Sequence, residues 1–210
     1  MNKIHYFYDP MCGWCYGATT LISALNNFAA ENNWQVVMHP GGMIGRRPME
    51  NGFRQHILSA DEHIASLTEA EFGENYRARV ASSQPLILDS MLPTQAILAA
   101  KTCGKDEFTM LKAIQSAHYQ QGLDVSEEAT LQQIAKDLGI ADSDWQNAMQ
   151  DAAAQLRYEL QHSHQQMSQL GVQGFPTLIM ETDKGLQRLP HSQFYGKPAD
   201  WQNYLNKLSD

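Results

Sequence analysis

Apolar and polar positions alternate along "KIHYFY", residues 3–8, a segment rich in aromatic and β-branched side chains, and this predicts a strand. From Gly13 to about Glu31 the period changes. Leu21, Ile22, Leu25, Phe28 and Ala29 recur at helical spacing, and "WQVVM", Trp34 to Met38, then predicts a second strand. Strand, helix and strand within the first 40 residues make a βαβ unit. After the Gly/Pro-rich loop "HPGGMIGRRP" the pattern is helical for more than 100 residues. "TEAE", Thr68 to Glu71, reads as a capping box that starts a helix. Pro93 reads as a first helical position, with Ala96, Ala100 and Cys103 on one face and Gly104 as the stop. A helix follows over Phe108 to Tyr119, and another is expected with Asp124 or Ser126 as N-cap and Gly139 as stop. A long helix then carries Trp145, Met149, Ala152, Leu156, Leu160, Met167 and Leu170 on one stripe. The period returns to two in Thr177 to Glu181 and Leu186 to Leu189, which flank an Asp-Lys-Gly turn and predict a hairpin. A last helix after Pro198 carries Trp201, Tyr204 and Leu205.

The order is therefore βαβ, a helical block, then ββα, with no repeat, low-complexity tract or linker between them. An α/β domain formed by residues 1–45 and 170–210, interrupted by an all-helical insertion of residues 46–169, accounts for this order better than tandem domains. Its 210 residues can enclose one sizeable core. With 43% hydrophobic and 18% charged residues the composition is that of an ordinary globular protein. A formal charge of −8 argues against nucleic acid as a partner, since phosphate binding calls for a basic surface. No apolar run approaches the roughly 20 residues that span a bilayer, so no membrane partner is expected. "MNKIHYFYDP" lacks the basic and apolar regions of a secretion signal, which gives a cytoplasmic expectation.

The chemistry concentrates in "DPMCGWCYG", where Cys12 and Cys15 stand at the junction of strand and helix. Three cysteines make no disulfide framework in a reducing compartment. Structural zinc needs four ligands, whereas the remaining cysteine, Cys103, falls on a helical face expected to be buried. His162 and His164, two apart on a helix, point to different sides, so no metal is expected. A redox dithiol fits. At a helix N-terminus Cys12 faces unpaired amides that stabilise a thiolate, and Cys15 lies close enough to form a bridge. One sulfur attacks and the other resolves the mixed disulfide. Far along the chain "GFPT", Gly174 to Thr177, sets a proline after a glycine and just before a strand. There a cis peptide can be presented beside the CxxC.

Together, "CGWC", the helical insertion and "GFPT" opening a ββα half resemble the DsbA-like branch of the thioredoxin superfamily over nearly the whole chain. "DPMCGWCYG" and "GGM" are most similar to its FrnE-type cytosolic subgroup. The resemblance implies a thioredoxin fold and a thiol–disulfide oxidoreductase or isomerase. It makes Cys12 the exposed nucleophile and Cys15 the buried resolving thiol. Gly13 and Trp14 become the dipeptide that tunes the potential, and Phe175 and Pro176 the cis-proline pair that docks a client backbone as an added strand. No cofactor beyond the dithiol is implied, with glutathione an optional co-substrate; the expected partners are thiol- or disulfide-containing proteins and peptides. One position departs from the pattern. Many relatives keep a buried carboxylate on the strand six residues before the first cysteine, where this chain has Tyr6. Asp9 is the nearest carboxylate in sequence, yet "DP" is an ordinary turn signal, so the proton acceptor for Cys15 is left open.

Around this centre Met11, Trp14, Tyr16 and Phe175 are candidates for an apolar rim. Arg46 and Arg47 are candidates for holding an anion such as glutathione, against the more ordinary reading of a solvated loop. His5 and His39 read as hydrogen-bonded structural groups, and Cys103 as an inert core thiol. Two other functions share the fold: a glutathione-dependent 2-hydroxychromene-2-carboxylate isomerase or kappa-class transferase, and a non-catalytic adaptor. The isomerases and transferases generally carry serine at the attacking position, and an adaptor need not keep both thiols, so the intact pair favours the oxidoreductase.

Overall fold

The computed structural model describes residues 2–208. Its main sheet has four strands in the order β2-β1-β5-β6: β1 (Lys3–Tyr8), β2 (Gln35–Pro40), β5 (Thr177–Thr182) and β6 (Gly185–Arg188). Central β1 runs parallel to β2, with Tyr6 opposite Met38, and antiparallel to β5, with Tyr6 opposite Leu178. Both faces of β1 are covered, which is why Ile4, Tyr6, Phe7 and Tyr8 are all essentially inaccessible.

The crossover from β1 to β2 is two helices, not one. α1 (Gly13–Gly17) gives way at Ala18 to α2 (Thr19–Glu31). At the joint the Thr19 hydroxyl donates to the Tyr16 carbonyl at 2.6 Å, a local bond that competes with the regular helical ladder. α9 (Pro198–Asn206) packs on α2, where the Trp201 indole N–H donates to the Leu21 carbonyl at 2.8 Å.

Between the two parts of the sheet lie α3 (Asn51–Thr68), α4 (Glu74–Ala81), α5 (Met91–Thr102), α6 (Glu107–Tyr119), α7 (Glu128–Asp137) and α8 (Asp142–Gln169). A two-residue ladder, β3 (Arg47–Pro48) with β4 (Ile87–Leu88), closes a loop around α3 and α4. The expected capping box at Thr68 is the end of a helix. Its hydroxyl donates back to the Ile64 carbonyl, and Glu69 turns left-handed at φ 60°. Pro93 is the third residue of α5, and Glu127, not Asp124 or Ser126, is the N-cap of α7. Trp34 precedes β2; its amide instead closes the end of α2 on the Ala29 carbonyl.

Helix α8 joins the two regions. Trp145 and Ala152 are buried in the main core, Met149 and Leu156 pack against it, and Met167 and Leu170 pack on Phe7, Val172 and Ile179 behind the sheet. His164 ties α8 to the segment after β2 through the Gly41 carbonyl at 2.7 Å. On that same side His5 bonds His39 and Glu181, both at 2.9 Å, so the two strand histidines are hydrogen-bonded as expected.

Candidate active site

β1 ends where Asp9 begins a turn, and that turn delivers the first cysteine. Asp9 Oδ1 accepts from the Met11 amide at 2.9 Å, and the Cys12 amide donates to the Asp9 carbonyl at 3.1 Å. Cys12 is the N-cap of α1, in extended conformation. Its sulfur stands at the position of a capping side chain, near enough to the amides of Trp14 and Cys15 to feel them but without a cap hydrogen bond to either. The thiol pKa is lowered, first by a hydrogen bond from the Cys15 thiol and then by the Cys15 and Trp14 amides, against an opposing effect of burial. Cys15 moves the other way. Burial raises it most, and the bond to Cys12 and that sulfur's charge add to the rise. The two thiols are thus split, Cys12 shifted towards the thiolate and Cys15 towards the protonated form. Cys12 is less open than expected of a nucleophile: 8% of its surface is accessible, against 1% for Cys15.

The distant proline loop meets this pair. The Phe175–Pro176 peptide is cis, and the Cys12 thiol lies 3.6 Å from the Phe175 carbonyl oxygen. The Phe175 ring sits on the chain after β2, where a β-carbon on Gly41 would stand 2.2 Å from Cζ, so any larger residue there would push the ring aside. Phe175, Pro176 and Trp14 line a cleft of about 450 Å3 whose far wall is Arg188, Leu189, His191 and Tyr195. Trp14 stacks on Tyr195 with centroids 5.6 Å apart, its edge to His63. All six residues proposed for the site thus gather at one place, Gly13 included, under α3.

The rest of the expected rim is core. Tyr16 stacks on Tyr119 and donates to the Glu71 carbonyl, and Met11 is buried, its carbonyl accepting from the Tyr119 hydroxyl at 2.9 Å. Arg46 is bound into the helical region, donating to the Ser126 carbonyl at 2.7 Å and pairing with Asp89 and Glu127, so it is not a free anion anchor. Arg47 is exposed on β3. Cys103, expected in the core, is half-buried at the C-cap of α5. Among the described residues no group of three or more His, Cys, Asp and Glu side chains converges in a way that could hold a metal.

Three contributors had no sequence signal. Tyr195 follows a short 3-10 turn (His191–Phe194) outside any periodic segment. Asp61, buried on α3, presses on Gly13 and accepts from the Tyr76 hydroxyl at 2.7 Å; burial raises its pKa to about 6. Tyr119 anchors Met11 from α6 and gives only a terminal aromatic in a helical pattern.

Solved structures of known proteins share this fold. Similar solved structures include the cytosolic disulfide reductase DsbM from Pseudomonas aeruginosa, 34% identical over 98% of each chain with a TM-score of 0.89. A second structure of that reductase, with GSH, matches at 33% identity over 98% of each chain with a TM-score of 0.87. A putative protein disulfide isomerase from Nitrosomonas europaea is 23% identical, with 99% of this chain and 96% of that one covered and a TM-score of 0.76. A 2-hydroxychromene-2-carboxylate isomerase shares the fold alone, at 11% identity and a TM-score of 0.55. A search of curated protein sequences finds no match. The DSBA-like thioredoxin domain model matches residues 3–196, and with that extent of agreement the chain belongs to the DSBA-like thioredoxin family of thiol–disulfide oxidoreductases.

Proposed function

We propose that this protein is a cytoplasmic thiol–disulfide exchanger that works as a reductase or isomerase of client disulfides through Cys12 and Cys15. The observation that carries the reading is the split between the two thiols at one helix end. Cys12 is pushed towards thiolate and Cys15 is held protonated, and the leading sulfur adjoins the cis Phe175–Pro176 segment. In the forward step the Cys12 thiolate attacks a client disulfide and forms a mixed disulfide, releasing one client thiolate. Cys15 then attacks Cys12, the second client thiolate leaves with the proton, and the pair is oxidised while the client is reduced.

The client enters through the cleft beside Pro176, where its extended backbone pairs with the chain at Thr177 and its side chains meet Trp14 and Tyr195. Glutathione is the proposed reductant of the oxidised pair. The likeness to the Pseudomonas reductase supports both that assignment and a cytoplasmic setting, in which the thiol pool favours reduction of such pairs. The isomerase of small aromatic acids shares the fold at much lower identity, and a serine-led site has no use for a second thiol.

A direct test compares two reactions of the purified protein: glutathione-driven reduction of a protein disulfide, and glutathione-dependent isomerisation of a hydroxychromene-type acid. Disulfide turnover that disappears on Cys12→Ser is expected. Isomerase turnover that persists without both thiols, with no disulfide exchange in the unsubstituted protein, would sink the proposal.

A further inference from the structure

The resolving step asks Cys15 to become a thiolate in a place that resists one. Burial is the largest influence holding its proton, and the negative charge of Asp9 acts in the same direction. Asp9 is poorly placed to relieve this. Its carboxylate is wholly buried and already accepts from the Met11 amide, the Ser90 hydroxyl at 2.7 Å and the Met43 amide at 2.6 Å. These bonds fix the turn and the segment after β2, and they occupy both lone pairs of Oδ1 and one of Oδ2. The Asp9 backbone amide does favour a Cys15 thiolate, but it is a single donor.

A second donor stands on the neighbouring strand. Tyr6 is 0% exposed, at the centre of β1, in the same core as Cys15. Its ring is fixed by Tyr8 and Phe108, with centroids 5.4 and 6.5 Å away. Among the described residues its hydroxyl finds no partner of hydrogen-bond geometry, a rare and costly state for a buried phenol. Burial first, and then the neighbouring Cys15 sulfur, raise the pKa of this phenol well above its ordinary value. A phenol whose proton is so firmly held is a donor, not a base.

We propose that the Tyr6 hydroxyl is the reserved hydrogen-bond donor to the Cys15 sulfur during resolution, taking over in neutral form the position that related proteins give to a carboxylate. This assignment rests on the dithiol reading above. When Cys15 attacks, its S–H proton passes to the departing client sulfur, the Cys12–Cys15 bond forms and the Cys12–client bond breaks. The Tyr6 O–H turns onto the charge developing at Cys15 and keeps its own proton throughout. The bond has no charged acceptor in the resting thiol and gains one in the reacting thiolate, so it favours the transition state over the ground state.

The test follows two steps in one trace, using a Cys103→Ser background and an aromatic disulfide reagent that releases a coloured thiolate. The first release reports Cys12 attacking the reagent, and the second reports Cys15 resolving the adduct. Tyr6→Phe removes only an unpartnered hydroxyl, so the fold is retained. It is expected to leave the first phase within about twofold and to slow the second at least about tenfold, the scale of one hydrogen bond to a charged group. The slowed phase should rise more steeply with pH than in the parent. Cys12, Asp9, Tyr8, Tyr119 and Tyr195 also face this pair electrostatically and are common to both proteins. An unchanged second phase from pH 6 to 9, or equal slowing of both phases, overturns the assignment of Tyr6. A parent protein with no second phase instead strikes the dithiol reading itself.

Discussion

Asp61 stands directly over Gly13: a β-carbon there would lie 3.1 Å from Asp61 Oδ1 and 3.0 Å from Ile64 Cδ1, both on α3. The residue after the leading cysteine is therefore held by the helical region, not by the sheet domain alone. Gly13→Ala sets a small gain in helix propensity against overpacking, and the packing term is the larger because the contact includes a buried carboxylate. A loss of about 1 kcal/mol is expected in urea unfolding. Ile64→Val removes the Cδ1 atom, so Gly13→Ala should cost less in that background; equal cost in both would mean that the contact is not the cause.

The cysteines should separate by role. Cys12→Ser is expected to abolish disulfide exchange, by a factor on the order of a thousand or more, because the attacking thiolate is gone. Cys15→Ser should keep the first attack and accumulate mixed disulfides, visible on non-reducing gels and absent from Cys12→Ser. Alkylation of Cys12 in a Cys15→Ala protein, which has no side-chain donor at that position, should also move to higher pH, since the Cys15 thiol is the largest influence lowering it. An alkylation profile identical to that with Cys15 intact would leave the helix amides as the whole cause.

How much of this was legible in the sequence follows from how local each signal is. The central strand, the hairpin and the long stripe of α8 could be read because one period persists over each of them. Cys12, Cys15 and Pro176 could be read because their neighbours carry turn and cap chemistry. Thr68 was misread because a threonine hydroxyl can accept from the start of a helix or donate back at its end, and only the preceding helix decides. The β3–β4 ladder is two residues long and has no alternation to detect. Asp61 and Tyr195 were invisible for another reason. Each reaches the dithiol from a separate part of the chain through tertiary packing, which leaves no spacing rule in either segment.

Tyr195 supplies a test of the cleft. It stacks on Trp14, and both line the space beside Pro176. Tyr195→Ala should raise KM for a protein disulfide by about three- to tenfold, the scale of one aromatic pair, while reaction of Cys12 with a small aliphatic disulfide changes little. Equal effects on both substrates would place Tyr195 in the support of Cys12 and not in client binding.

Arg54 holds the helical region together near the site. It is 5% exposed and donates to the carbonyls of Arg79, Val80 and Gln84, at 3.3, 3.0 and 2.6 Å, gathering the end of α4 and the loop behind it. Arg54→Met keeps most of the volume but strands these carbonyls. A loss of about 3 kcal/mol is expected from calorimetric or urea unfolding, since hydrogen bonds from a charged donor are worth about 1.5–3 kcal/mol each and do not simply add. A loss below about 1 kcal/mol would show that water replaces the guanidinium there.

Buried histidines and buried carboxylates give the fold opposing dependences on pH. His39 and His118 are buried, and burial lowers each to a pKa of about 4 from an ordinary value near 6.5. For a histidine lowered in the native state, the unfolded chain binds more protons between those two values. Stability is then complete above about pH 6.5 and falls as the pH drops towards about 4. Asp61 acts in the opposite sense. Its raised value of about 6 makes the native state the better proton binder between about 4 and 6, so its contribution fades as the pH rises through that range. His191 is lowered in the same sense as the other two histidines, and Asp9 and Glu107 are raised like Asp61, so the histidine loss between pH 6.5 and 4 is read from its own variant. His118→Gln should flatten that loss by on the order of 2 kcal/mol, and Asp61→Asn should raise stability at pH 8 more than at pH 4. Urea midpoints at half-unit steps of pH would decide it; a His118→Gln protein with the same pH slope as the parent would contradict the burial assigned to that histidine.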